Sequence, residues 1–66
     1  MNSFLTLRDG TVIYIVEPGD SLWGIAGRFF GDPWLWTKLW KMNPNITNPD
    51  LIYAGDIIVL SDKGRL

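Results

Sequence analysis

The stretch Tyr14-Ile15-Val16-Glu17-Pro18-Gly19-Asp20-Ser21-Leu22-Trp23-Gly24-Ile25-Ala26 changes its period half-way along, and that change decides the fold. Up to Val16 the chain is β-branched or aromatic at nearly every position, so residues 11–16 read as a strand. Val12, Tyr14 and Val16 share one face of it; Ile13 and Ile15 share the other. Pro18 cannot donate to a ladder and Gly19 tolerates unusual backbone angles, so Glu17-Pro18-Gly19 ends the strand. Beyond this turn the period becomes helical. Asp20 and Ser21 are both N-cap residue types, and Asp20 suits the positive end of the helix dipole. Leu22, Ile25, Ala26 and Phe29 fall at i, i+3, i+4 and i+7, the spacing of one buried stripe, with Trp23 and Phe30 one step round from it.

Toward the C-terminus, Gly31 is placed to stop this helix as a left-handed residue. Asp32-Pro33 restarts helix at once, with Asp32 as N-cap and Pro33 at the first helical position. Trp36, Leu39, Trp40 and Asn43 form the second stripe; Trp34, Lys38 and Lys41 sit opposite it. Trp23, Trp36 and Trp40 are expected in the core, where a buried aromatic supplies much of a small domain's stability. Trp34 is expected outside, either as a protein contact or lying over Pro33 and a neighbouring turn. Asn43-Pro44 ends the second helix, and the Asn43 amide is expected to bond loop backbone around residues 46–48. Residues 45–55 read as a loop anchored by Ile46, Leu51, Ile52 and Tyr53, and residues 56–60 as the last strand.

Toward the N-terminus, Phe4 to Arg8 with Asp9-Gly10 gives a hairpin signal, with Asp-Gly as a two-residue type I′ turn. In that register Leu7 faces Val12, Leu5 faces Tyr14 and Phe4 faces Ile15. The sum is an α+β domain with two helices on one face of a small antiparallel sheet. It divides into an N-terminal strand over residues 1–11, the domain proper over 12–60 and a tail over 61–66. Ile13, Ile15, Ile57 and Val59, with Phe4, would point away from the helices. Aliphatics on a sheet face are expected to be covered, by a protein partner or by self-association.

The composition narrows the function classes. At 66 residues the chain is one small domain, and a domain of this size buries only about 60% of its unfolded surface. It has no Cys and no His, which excludes a disulfide framework, the common zinc fingers and the commonest general base. A 47% hydrophobic content with four Trp is a folding composition. The net charge of −1 provides no field for nucleic-acid phosphates. No apolar run approaches the roughly 20 residues of a membrane span. Residues 1–10 lack the charged start and apolar run of a secretory signal. On that reading the protein works where it is made, or the chain is a domain of a longer one.

Taken in order, the opening stretch, then Phe29, Gly31-Asp32-Pro33, Trp36, Leu39-Trp40 and Asn43-Pro44, then Asn48-Pro49-Asp50-Leu51-Ile52-Tyr53-Ala54-Gly55-Asp56 and Ile58-Val59-Leu60, resemble a LysM domain across residues 12–60. The departures are Ser21 where threonine is usual, Ala54 where proline is usual, and the added N-terminal strand. The resemblance implies a βααβ fold and a non-catalytic module for glycans containing N-acetylglucosamine, bacterial peptidoglycan or chitin. It also implies a shallow groove between two loops, mapping onto Gly19, Asp20, Ser21 and Leu22 and onto Pro49, Asp50, Leu51, Ile52 and Tyr53. Backbone groups at a helix N-terminus can meet the sugar's amide and hydroxyls, and Leu51 and Ile52 its methyl and apolar ring face. Each residue also has a plainer role: turn and cap for the first loop, anchors beneath the helices for the second.

Related modules also serve as structural adaptors in phage tails and contractile injection systems, and the apolar outer face, with Trp34, would suit that use. The expected location is the cell envelope or the exterior for part of a secreted protein, and a tail or virion for a complete phage protein. Catalysis of wall hydrolysis would need two carboxylates across a deep cleft. Asp20 and Asp50 are the candidates, but both read as structural, as helix cap and turn former. The expectation is no enzyme, no cofactor and no metal.

Overall fold

The computed structural model describes residues 4–61; of the tail expected over residues 61–66, Ser61 belongs to the last strand and 62–66 lie outside the described residues, as do residues 1–3 of the expected N-terminal strand. In chain order it places β1 (Phe4–Thr6), β2 (Val12–Ile15), α1 (Leu22–Phe30), a 3₁₀ turn (Pro33–Leu35), α2 (Trp36–Lys41) and β3 (Ile57–Ser61). The strands form one antiparallel sheet in the order β1-β2-β3, and the helices cover one face. This is the α+β arrangement expected from the period change, with the extra N-terminal strand present.

The local signals act as the residue types dictate. Ser21, in extended conformation, accepts a hydrogen bond from Gly24 N–H at 3.0 Å and is the N-cap of α1. Gly31 closes α1 with a left-handed φ of 72°. Asp32 accepts from Trp34 N–H at 3.0 Å, but the helix it starts is first a 3₁₀ turn that tightens before α2 begins. Leu22, Ile25, Ala26 and Leu39 meet Tyr14, Val16, Ile58 and Leu60 in the core. Phe29, Trp36, Trp40, Ile46 and Ile52 pack half-buried round it.

Four details differ from the sequence expectation. The hairpin register is off by one: Phe4 faces Tyr14, Leu5 faces Ile13 and Thr6 faces Val12. Leu7 N–H donates to Thr11 C=O at 2.7 Å and Gly10 N–H to Leu7 C=O at 3.0 Å, so the loop is Arg8-Asp9-Gly10. Gly10, at φ 93°, takes the left-handed place that a three-residue loop requires. A slip of one residue exchanges the faces of a strand. Phe4 therefore packs inward on Tyr14 and Phe29, and Leu5 takes the outer face beside Ile13.

The second detail is Asn43, which is 2% exposed. Its amide donates to Leu39 C=O at 2.8 Å and to Val59 C=O at 3.0 Å, and its oxygen accepts from Val59 N–H at 2.8 Å. The amide thus grips the free edge of β3 and not the loop; Trp40 holds the loop through its indole N–H to Ile46 C=O at 2.8 Å. Third, Trp23 is not in the core but 45% exposed; Trp36 and Trp40 are half-buried and stacked at 6.1 Å. Fourth, Leu51 and Tyr53 are exposed and anchor nothing, whereas Ile46 and Ile52 pack against the core.

Candidate functional site

The β2–α1 loop and the α2–β3 loop come together over the N-terminus of α1 and enclose a groove of about 320 Å³. Asp20, Ser21, Leu22 and Trp23 line one side; Pro49, Asp50 and Ile52 line the other, with Trp36 of α2 completing the lining. Of the nine residues expected from the two loops, Gly19, Leu51 and Tyr53 stand outside this lining. Ile52 turns toward the core while its neighbours Leu51 and Tyr53 turn to solvent, as alternate residues do in extended chain.

Two groove residues, Trp23 and Trp36, were expected in the core, Trp36 because it stands on the second stripe and Trp23, one step off the first, because large aromatics stabilise a small core. The signal for Trp23 was its departure from the buried stripe; Trp36 gave none. A nine-residue helix on a three-stranded sheet covers a narrow stripe, and a residue one step round it meets solvent.

The groove's polar side is pre-set by Asp20. Its Oδ2 accepts from Tyr14 O–H and, at 2.8 Å, from Glu17 N–H; its Oδ1 lies 3.2 Å from the Arg28 guanidinium. Arg28 also donates to the Tyr14 hydroxyl at 3.1 Å and lies over the Tyr14 ring at 5.6 Å. The Asp20 carboxylate therefore closes the loop and is not the N-cap. Burial, and next the Asp20 hydrogen bond, push the Tyr14 hydroxyl above the usual tyrosine range. Asn48, not Asp50, forms the turn opposite, accepting from Asp50 N–H at 2.9 Å.

These loops offer backbone donors, two indole rings, the Leu22 and Ile52 side chains and two carboxylates. No Lys or Arg is among the lining residues. Such a lining suits an uncharged ligand with both apolar and hydrogen-bonding faces. Among the described residues no cluster of three His, Cys, Asp or Glu is placed to hold a metal ion, and no helix is long and apolar enough to cross a membrane.

On the outer sheet face Ile13 pairs with Val59 and Ile15 with Ile57. Ile57 is 55% exposed and Leu5 51%, whereas Ile13, Ile15 and Val59 are half-buried. Trp34, 71% exposed, lies edge-to-face on Trp23 with ring centroids 4.7 Å apart.

The chain is 53% identical over 30 residues to an uncharacterised Bacillus subtilis protein, YqbP, covering 46% of this chain. It is 48% identical over 46 residues to an uncharacterised Deinococcus radiodurans protein, covering 70% of this chain. It is 40% identical over 52 residues to SpoIVD-associated factor A of B. subtilis, covering 79% of this chain. The matched segment spans only 14%, 18% and 13% of these relatives respectively. No solved structure gives a significant match. The LysM domain family model matches residues 14–61, most of the chain, from the middle of β2 to the end of β3 and including every groove-lining residue, and the chain belongs to the LysM domain family.

Proposed function

We propose that this chain is a non-catalytic module that binds N-acetylglucosamine-containing glycans, peptidoglycan or chitin-type, and tethers the protein carrying it to them. The observation that carries this reading is the groove itself. Both loops that serve the family converge on one concavity, and it is lined by indole rings and backbone without a cation. An N-acetyl sugar presents an amide, hydroxyls and an apolar ring face, and each has a counterpart there. Asp20, held by Tyr14, Glu17 and Arg28, serves as a fixed wall of the groove. A site of this size binds one ligand weakly, and linked copies would multiply its strength. The location consistent with this role is a cell envelope or other glycan-bearing surface.

The test is co-sedimentation with insoluble peptidoglycan and with chitin. The parent is expected in the pellet, and Trp23→Ala, which removes an exposed indole wall of the groove, is expected in the supernatant. Equal sedimentation of both proteins would contradict the groove as the binding site.

A second reading, a structural adaptor working through protein contacts in a tail or similar assembly, draws on the outer sheet face. Leu5 and Ile57 are more than half exposed there, side by side with Ile13 and Ile15. One relative bears a name that records its association with another protein. Under this reading Ile57→Thr abolishes assembly and leaves glycan binding intact.

A further inference from the structure

Trp34 and Trp23 form an exposed aromatic ledge at the edge of the groove, and Trp34 lies outside the loop-to-loop site. Trp23 is common to both: it lines the groove, and its ring meets Trp34 at 80° with centroids 4.7 Å apart. We propose that this ledge is a second sugar subsite, continuous with the groove, on which a further ring of the same glycan stacks. The proposal rests on the glycan reading of the groove and extends it to a longer ligand.

The backbone beneath the ledge is held before anything binds. Trp23 follows the buried Leu22 on α1. The Trp34 backbone is held by Asp32, whose Oδ1 accepts the Trp34 backbone N–H at 3.0 Å, and Asp32 C=O accepts Leu35 N–H at 3.1 Å. Pro33 lies against α1, where a Cβ built at Gly27 would stand 3.7 Å from it. An edge-to-face pair engages one face and one edge, so a face of the indole pair stays open. With Trp34 at 71% exposure, that open face is presented to solvent. An aromatic face on a held backbone costs less ordering entropy on binding. Its negative face attracts the polarised C–H bonds on the apolar side of a pyranose. The groove, at about 320 Å³, sits at the small end of ligand sites, so a chain of sugars must run out of it. The Trp23 end offers such a strand an aromatic exit.

The test uses protein labelled with 5-fluorotryptophan and β-1,4-linked N-acetylglucosamine oligomers from dimer to hexamer. The four fluorine signals are assigned by single Trp→Phe variants. The Trp23 and Trp36 signals are expected to move with every oligomer, and the Trp34 signal only with the longer ones. Trp34→Ala is expected to lower hexamer affinity about three- to tenfold, leave dimer affinity unchanged, and be rescued in part by Trp34→Phe. Oligomer binding at the groove with a silent Trp34 signal, and equal hexamer affinity in Trp34→Ala, would overturn this subsite alone. Failure of every oligomer to bind would overturn it together with the groove reading. A Trp34 signal that moves with protein concentration without sugar would assign the ledge to a second copy of the chain and overturn the proposal.

Discussion

Asn43 and Asp20 do the same mechanical work at opposite ends of the helical layer. Each is a short polar side chain that ties the helical layer to the sheet by three or more hydrogen bonds. Their surroundings differ. Asn43 is 2% exposed and bonds backbone of α2 and β3, replacing a missing neighbour strand along β3's edge. Asp20, with its side chain 15% exposed, bonds a turn, a tyrosine and an arginine whose own side chain is 55% exposed. The dry anchor holds the fold together; the wet one shapes the groove. A hydrogen bond is worth most where its loss strands a partner away from water, so the two should separate cleanly in stability and in binding.

The largest effect is expected at Asn43. Asn43→Ala strands the Val59 N–H and C=O and should cost about 1–3 kcal/mol, read as a lower denaturation midpoint. A parent-like midpoint would mean that β3's edge is held without it. Asp20→Ala should cost less, about 1 kcal/mol, because water replaces part of what is lost and the Arg28 pair is screened. It should weaken glycan binding several-fold, whereas Asn43→Ala, at a temperature where it stays folded, should not. The reverse pattern would break the division between anchors.

The wet anchor also has a pH signature. Burial, then the hydrogen bond to Asp20, hold the proton on Tyr14 more tightly in the folded chain than in the unfolded one. The resulting stabilisation is complete below the unfolded tyrosine value of about 10 and is lost as pH rises through the higher folded value. Denaturation midpoints should therefore fall at alkaline pH in the parent, and fall less in Tyr14→Phe. The smallest effect is a gain. Gly27 lies inside α1, and a Cβ there meets Pro33 at an ordinary 3.7 Å, so Gly27→Ala should stabilise by about 0.5–1 kcal/mol.

Most of the fold was legible because its signals are local. Ser21, Gly31 and Asp32-Pro33 are read within one turn of where they act. The hairpin register was not, because Asp-Gly serves a two-residue turn and the end of a three-residue loop equally well. Its consequence is that Phe4 supports the core and Leu5 the outer face. The partner of Asn43 was missed because it is sixteen residues away, on a strand that only the tertiary fold brings near. For the site, the loops were legible but the indole walls were not. Periodicity tells which residues share a stripe, not how wide a stripe a three-stranded sheet covers.

The groove between the two loops is proposed to receive an N-acetylglucosamine chain. The most direct measurement is an amide chemical-shift titration of labelled protein with N-acetylglucosamine oligomers. Shifts are expected at the amides of Ser21, Leu22, Asp50 and Ile52 and at the indole N–H of Trp23 and Trp36, with Ile57 on the outer face unmoved. No shift at millimolar sugar, or shifts confined to the outer face of the sheet, would contradict it.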